Sequence, residues 1–398
     1  MPFLYLFNSM DLAADLSFEF MSTILAGLVI GGVTALYTFL TIFSPKRHPL
    51  TDEERYYYAI DSAKRQPLDS VLDPPRCTLS VVVPAYNESQ RLPTMLADAY
   101  AYLEARTQGL GKETGGSSDV EYSAESSTIG SPTSTPTEDT GFPRSPVWPR
   151  CSFSYEIIVV DDGSRDNTAQ VALKFARNHQ LTNLRVIKFK QNRGKGGAVT
   201  EGFLHARGEY ILFADADGAT DFQDIQQLFC QLKSAERDGL GVAVGSRAHL
   251  KKAGSNVQRS LIRTILMRAF HTFVYIFGIR NVDDTQCGFK LFTRRAAQAI
   301  FTHLHVERWI FDIEVLMLAG YFDIPVVEVP VSWHEIAGSK MSLVLDSIQM
   351  ATDLLLKRSN YVLGIWQVRP LPPPSPMLKP AAKDNRPVKR PAAMVTMQ

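Results

Sequence analysis

The stretch Ile211-Leu212-Phe213-Ala214-Asp215-Ala216-Asp217-Gly218-Ala219 decides how this chain is read. An apolar run of strand length ends in two aspartates two residues apart. Alternate side chains on a strand share a face, so Asp215 and Asp217 can converge on one ligand at the strand's end. In open α/β sheets, ligands bind beyond the carboxyl ends of strands. Paired hard oxygens there suit Mg²⁺ or Mn²⁺ carrying substrate phosphates. For an isolated Asp-x-Asp, two solvated turn carboxylates before Gly218 would be the simpler account. The rest of the chain argues against it.

Two more apolar runs end the same way. Leu79-Ser80-Val81-Val82-Val83 is a buried-type strand that Pro84 is expected to stop, with Glu88 shortly after it. Tyr155 to Val160 is a second strand, followed by Asp161-Asp162-Gly163-Ser164. Helical spacing predicts a helix from about Ser89 to Arg106 and another after Ser164 or Asp166. A third strand, Leu184 to Phe189, leads through Asn192-Arg193-Gly194-Lys195-Gly196-Gly197 into a helix ending near His205. This strand–helix alternation implies a parallel, Rossmann-like sheet. Further strands are expected at 242–245, 289–293 and 326–333. The glycine turn lacks the Gly-x-x-x-x-Gly-Lys-[Ser/Thr] of a triphosphate loop and the third glycine of a dinucleotide fingerprint. Three acidic strand ends therefore favour a nucleotide site organised by carboxylates and a divalent metal over an ATPase or a dehydrogenase.

Outside this region the chain changes character. Residues 20–43 contain no charged residue; 24 residues of helix span about 36 Å, enough for a hydrocarbon core of about 30 Å. Asp11, Asp15 and Glu19 precede the span and Lys46, Arg47 and His48 follow it, which predicts a lumenal residue 1–19 segment and a cytosolic remainder. The Gly27-x-x-x-Gly31 spacing adds little, since membrane helices are glycine-rich. Residues 44–76 read as a polar connector with some helix, and 77–345 as the catalytic domain. Within it, residues 107–152 are rich in Gly, Ser, Thr, Pro and Glu and are expected to be a disordered insertion. Residues 257–279 predict a basic, aromatic-rich helix that suits either a membrane interface or a core with a basic edge. Residues 346–368 are expected to form a C-terminal helix and 369–398 a disordered, proline-rich basic tail.

Composition sets bounds on partners. With 42 Lys and Arg against 41 Asp and Glu, the net charge of +1 gives no electrostatic case for nucleic acid. The 45% hydrophobic fraction supports a large core. Cys77, Cys151, Cys230 and Cys287 lie far apart, which fits reduced thiols rather than zinc or disulfides. His179, His205 and His271 read as surface or packing residues. Asp312 and Glu314, after Trp309, either touch a ligand or form a solvated helix face.

In order, Val82-Val83-Pro84-Ala85-Tyr86-Asn87-Glu88, Val160-Asp161-Asp162-Gly163-Ser164 and Asp215-Ala216-Asp217 resemble the marks of the family 2 glycosyltransferases with the GT-A fold. The resemblance covers roughly residues 78 to 345. More narrowly, Asn192 to Gly197, Ala214 to Thr220, Asp284 to Lys290 and Glu335-Ile336-x-Gly338-Ser339-Lys340 are similar to the members that transfer glucose from UDP-glucose to dolichyl phosphate at the endoplasmic reticulum membrane. The resemblance implies roles residue by residue. Pro84, Tyr86 and Glu88 would line the nucleoside pocket, and Asp161 or Asp162 would hydrogen-bond uracil. Asp215 would lie near the ribose or sugar, and Asp217, with Asp215 beside it, would hold the metal on the diphosphate. Arg247, Lys340 and Lys195 would face phosphates, and Asp284 would orient acceptor or sugar. Related mannosyl enzymes carry an arginine six residues before the counterpart of Lys340; here His334 stands there, which favours glucosyl over mannosyl transfer. The competing readings are another polyprenyl-phosphate glycosyltransferase, an inactive nucleotide-binding membrane scaffold, and an interaction protein acting through its tail.

Overall fold

The computed structural model describes residues 3–44, 47–60, 65–108, 153–252, 282–308, 310–334 and 358–368. The expected helix at 257–279, most of the 107–152 insertion, residue 309, Lys340, most of the C-terminal helix and the 369–398 tail lie outside them. In chain order the elements are α1 (Phe3–Phe43), β1 (Tyr56–Tyr58), β2 (Gln66–Pro67), β3 (Cys77–Ala85), α2 (Leu92–Thr107), β4 (Tyr155–Asp161), α3 (Thr168–Asn178), β5 (Leu184–Lys188), α4 (Lys195–Leu204), β6 (Gly208–Ala214), a 3-10 turn (Phe222–Asp224), α5 (Ile225–Ala235), β7 (Val242–Ser246), α6 (Ala248–Lys252), β8 (Phe289–Thr293), α7 (Arg294–Phe301), α8 (Phe311–Tyr321) and β9 (Val326–Pro330).

One sheet runs β2-β1-β5-β4-β3-β6-β8-β7-β9. Its parallel centre, β5-β4-β3-β6, is the expected Rossmann-like unit. β8 lies antiparallel between β6 and β7, so the sheet is mixed beyond the first half. The central strands are apolar without interruption because helices cover both faces. On one face Val81, Val83 and Leu212 join Leu92, Met95 and Leu96 of α2 and Leu228 of α5 in a single core. On the other, Phe203 of α4 stacks on Phe301 at 3.9 Å and meets Phe292 edge-on at 5.1 Å. α4 lies close to the sheet because Gly202 has no side chain: a Cβ there would sit 2.3 Å from Val82 Cγ1.

Two expectations change. The 44–76 connector shows no helix among its described residues after Ser44. Instead Tyr56–Tyr58 pairs antiparallel with β5 and Gln66–Pro67 pairs with it in turn, extending the sheet edge. Tyr57 is buried there beneath the guanidinium groups of Arg185 and Arg207, at 5.1 and 5.6 Å. Pro84 does not stop its strand. β3 continues to Ala85 because pairing with β6 ends at Val82–Phe213, while β4 follows through to Asp161. A proline past the last rung on one side costs no ladder bond there.

The apolar N-terminal helix starts earlier than expected, at Phe3. Its stretch Phe20–Ile42 has mean hydropathy 1.9 and is long and apolar enough to cross a membrane. Phe20, Leu28 and Ile42 are about two-thirds exposed, whereas Leu40 is buried and Ser44 Oγ donates to Asn360 Oδ1 at 2.7 Å.

Gly202→Ala sets a helix-propensity gain of about 1 kcal/mol against an overpacking cost of about 1–3 kcal/mol. With 2.3 Å to Val82, the cost wins. Thermal unfolding should show a lower midpoint for Gly202→Ala than for wild type, and a raised midpoint would refute the packing account.

Candidate active site

The sheet register brings the three acidic strand ends to one edge. Asp161 lies opposite Ala85, and Asp162 N donates to Ala85 O at 2.9 Å. Asp215 falls two residues past the Val82–Phe213 rung, level with Pro84. Adjacent strands are about 4.8 Å apart, so β4 and β6, on either side of β3, carry their carboxylates about 10 Å from each other.

Past β3 the chain turns through Tyr86, half-buried, and Asn87, which takes a left-handed conformation (φ 53°). This turn is laced to the loop after β4: Arg165 N donates to Asn87 Oδ1 at 2.8 Å, and Glu88 N donates to Thr168 Oγ1 at 2.9 Å. Glu88 itself forms a fork with Arg91, whose Nε and Nη2 reach its two oxygens at 2.7 and 2.5 Å. The Glu88 carboxylate therefore orients Arg91, while its carbonyl accepts from Arg91 N and Leu92 N at 3.1 and 2.9 Å. Arg91 was not singled out from sequence. Its charge is held chiefly by Glu88, with Asp217 and Asp215 adding to it from further off.

The two aspartates after β4 behave differently. Asp162 uses both oxygens on the glycine turn: Oδ1 accepts from Arg193 N at 2.7 Å, and Oδ2 accepts from Asn192 Nδ2 at 2.8 Å and Gly194 N at 2.9 Å. Asp161 Oδ1 accepts from Ser164 N at 3.0 Å. Burial raises the pKa of both, that of Asp162 to about 7 against the donors of the turn.

At the end of β6, Asp215 N donates to Gly288 O at 3.0 Å. Its Oδ1 pairs with Lys195 Nζ at 2.7 Å, and Lys195 also lies over the Phe213 ring at 5.1 Å. Burial opposes the lysine's charge, but Asp215 and Asp312 outweigh it and raise the lysine's pKa. Gly288 is required here, because a Cβ would fall 1.8 Å from Asp215 Oδ2. Asp217 Oδ1 accepts from Ala219 N at 3.0 Å, and His334 N donates to Ala219 O at 2.8 Å, so Trp333 and His334 lie beside this turn. Burial first, and then the charge of Asp215, raise the pKa of Asp217. A cation would relieve that like-charge repulsion. Among the described residues no three His, Cys, Asp or Glu side chains converge on one point. Paired carboxylates are nonetheless the type of donor that Mg²⁺ or Mn²⁺ takes alongside a diphosphate. The residues fit such an ion.

Arg247 and Asp284 come together but face one another. Arg247 Nε and Nη2 donate to the two carboxylate oxygens at 2.7 and 2.9 Å, and its guanidinium lies 5.6 Å from the Trp333 ring centre. Asp284 N in turn donates to Glu328 Oε1 at 3.0 Å. Neither Asp312 nor Glu314 is on a solvated helix face. Asp312 accepts from buried Lys290 Nζ at 2.5 Å, and Glu314 accepts from Val306 N at 2.8 Å and from the Tyr361 hydroxyl at 2.6 Å. α8 is apolar on all sides and buried, so its acids must be paired. His179 packs on Tyr100 and Phe175, and His205 lies beside Glu201, as expected of packing residues. Among the described residues Cys77, Cys230 and Cys287 form no disulfide.

Acidic ends of parallel strands, a lysine-bearing glycine turn and a carboxylate pair thus meet at one end of the sheet. A family model described as glycosyl transferase family 2 matches residues 152–301. The dolichyl-phosphate beta-glucosyltransferase of Saccharomyces cerevisiae is 41% identical over 362 residues, covering 87% of this chain and 95% of that protein. That of Homo sapiens is 40% identical over 345 residues, covering 86% and 93%. Among solved structures, glucosyl-3-phosphoglycerate synthase of Mycobacterium tuberculosis in complex with UDP aligns at 18% identity and a TM-score of 0.42, over 74% of this chain and 88% of that one, too remote to inform the site. The chain belongs to glycosyl transferase family 2, and within it to the dolichyl-phosphate beta-glucosyltransferases. It is a glycosyltransferase with a GT-A fold.

Two measurements probe this geometry. Gly288→Ala should fold but displace Asp215, lowering transferase activity at least about tenfold; unchanged activity would show that Asp215 is not held as described. A carboxyl whose folded pKa exceeds its unfolded value near 3.9 binds its proton more tightly when folded. The contribution of Asp162 is therefore fully present below about pH 4 and declines as the pH rises toward 7. Chemical unfolding of wild type and Asp162→Ala should show a smaller stability difference at pH 8 than at pH 5, and a growing difference would reverse the sign.

Proposed function

We propose that this glycosyltransferase moves glucose from UDP-glucose to dolichyl phosphate with inversion, giving dolichyl β-D-glucosyl phosphate and UDP. The observation that carries the proposal is the Asp215–Lys195–Asp217 cluster at the strand edge of a chain about 40% identical to proteins named for that transfer. Pro84, Tyr86 and Glu88 border the nucleoside. Asp161 takes the uracil contact, since Asp162 spends its oxygens on the glycine turn. Asp217, with Asp215, would hold Mg²⁺ or Mn²⁺. When bound, that ion supplies charge stabilisation to the leaving diphosphate.

The chain's own groups do the rest. Lys195 keeps its proton beside Asp215 and offers positive charge to the diphosphate or sugar, while Arg91, oriented by Glu88, adds its charge from further off. Lys340 is assigned to a phosphate by its motif. Arg247 and Asp284 hold one another, so Arg247 meets phosphate only with Asp284 beside it, and Asp284 positions Arg247. The acceptor oxygen attacks the anomeric carbon from the face opposite UDP, which converts α to β. A phosphate monoester has a second pKa of about 6 and is already anionic near neutral pH, so a strong general base is dispensable.

The acceptor's polyprenyl chain stays in a bilayer, which agrees with the apolar Phe20–Ile42 helix as an anchor. The basic residues after it favour a cytosolic catalytic domain, and the eukaryotic relatives favour the endoplasmic reticulum.

Membranes containing the wild-type chain should transfer labelled glucose from UDP-glucose to dolichyl phosphate. Chelation should abolish the product and Mn²⁺ or Mg²⁺ restore it. Asp217→Ala should lower the rate at least about 100-fold, the scale of losing one transition-state charge contact. Product from GDP-mannose but none from UDP-glucose would overturn the donor assignment.

A further inference from the structure

The chain that leaves the apolar helix lands on the turn that carries Lys195. Arg47 Nη2 donates to Glu201 Oε1 of α4 at 2.5 Å. One residue on, His48 N donates to Glu307 Oε1 at 2.9 Å, and His48 Nδ1 lies 2.5 Å from Glu307 Oε2. Arg193, inside the glycine turn, grips the same segment. Its Nη1 donates to His48 O at 2.8 Å and its Nη2 to Glu54 Oε2 at 2.6 Å. Its backbone N meanwhile donates to Asp162 Oδ1, and its guanidinium covers Phe189 at 4.5 Å.

The His48 side chain is 72% exposed and that of Arg47 29%, but the groups that receive and flank them are largely buried. The side chains of Arg193 and Glu54 are 7% and 3% exposed and that of Glu201 is 6%. Exposed ion pairs hold little, but removing one member of a buried pair strands a charge out of water. Glu307 completes the joint from below: its carbonyl accepts from Gly197 N at 2.8 Å, and a Cβ on Gly194 would lie 2.6 Å from it. Residues 47–54, the turn at 192–197 and the loop at 305–307 are thus one packed unit.

Phe43, where the helix ends, and Arg47 are four residues apart, which limits their separation to about 14 Å. The polar layer on each side of a hydrocarbon core is about 5–8 Å thick. We infer that residues 47–54 form a strap, held by Arg193, Glu201 and Glu307, that fixes the height of the glycine turn and Lys195 above the bilayer. The strap then presents the site to a phosphate anchored in that same bilayer. The second statement rests on the proposed transfer reaction; the fixed height rests on the proposed membrane anchor alone.

The test inserts eight Gly and Ser residues between Ser44 and Arg47, leaving every strap contact in place. The full chain is reconstituted in vesicles carrying a headgroup acceptor dye, with a fluorescent amino acid substituted at the exposed Arg165. Eight flexible residues add about 15 Å of reach. Energy transfer should fall in the insertion variant. Glucose transfer to vesicle-embedded dolichyl phosphate should fall at least tenfold, while transfer to a water-soluble short-chain polyprenyl phosphate stays within about twofold. Arg47→Ala combined with His48→Ala should move both readouts the same way without lowering the unfolding temperature by more than a few degrees. Wild-type energy transfer in the insertion variant would overturn the inference, because another surface would then hold the site to the bilayer. A wild type that transfers no glucose to either acceptor would count against the proposed function alone, since the distance readout needs neither donor nor acceptor.

Discussion

Everything at the strand edge depends on holding two like charges, Asp215 and Asp217, two residues apart in a partly buried place. Burial, and then the charge of Asp215, push against the ionisation of Asp217 and raise its pKa. The fold offsets this with one direct partner, Lys195 Nζ at 2.7 Å from Asp215, and with Arg91 at longer range. Neither cation could reach without local backbone arrangements. Gly288 leaves the space Asp215 occupies, and Glu88 holds Arg91. Among the described residues Asp217 forms no ion pair, a setting in which a divalent ion with its phosphates would relieve the repulsion.

The same logic of paired charge extends through the interior beside the site. Lys290 Nζ lies against Asp312 and the Cys287 carbonyl, beneath the loop that presents Gly288. Lys195 feels Asp312 as well as Asp215, so the two lysines and two aspartates alternate in sign from the core to the edge. A buried pair of this kind contributes little net stability but penalises any arrangement that separates its members. It therefore holds the Cys287-Gly288 stretch just before β8 in one position. Arg247 and Asp284 do the same for the far side of the site, with Glu328 tying Asp284 to β9.

The strand ends were legible because their signal is local. A continuous apolar run followed by an acid is visible in six or seven residues, and three such runs in one chain leave few alternatives. Harder to see were features made by partners distant in sequence. Asp312 and Glu314 look like a solvated face in Phe311-Asp312-Ile313-Glu314-Val315, yet their partners are Lys290 and the residue 305–306 backbone. Arg247 and Asp284 each suggested a ligand contact, and only the fold shows that they bind one another. β1 and β2, of three and two residues, are too short to carry a period, so their segment read as a connector. Pro84 was misjudged as a strand stop because its effect depends on which neighbour ends first.

The central claim is that the β6 carboxylates bind nucleotide through a divalent metal. Calorimetric titration of UDP into the full chain, with and without Mn²⁺, addresses it without invoking acceptor or membrane. The account predicts that Mn²⁺ tightens UDP binding to the wild type by at least about tenfold and gives Asp217→Ala no such gain, on the scale of losing one ligand of a metal site. Equal UDP affinity with and without Mn²⁺ in the wild type, or the full metal effect retained in Asp217→Ala, would contradict it.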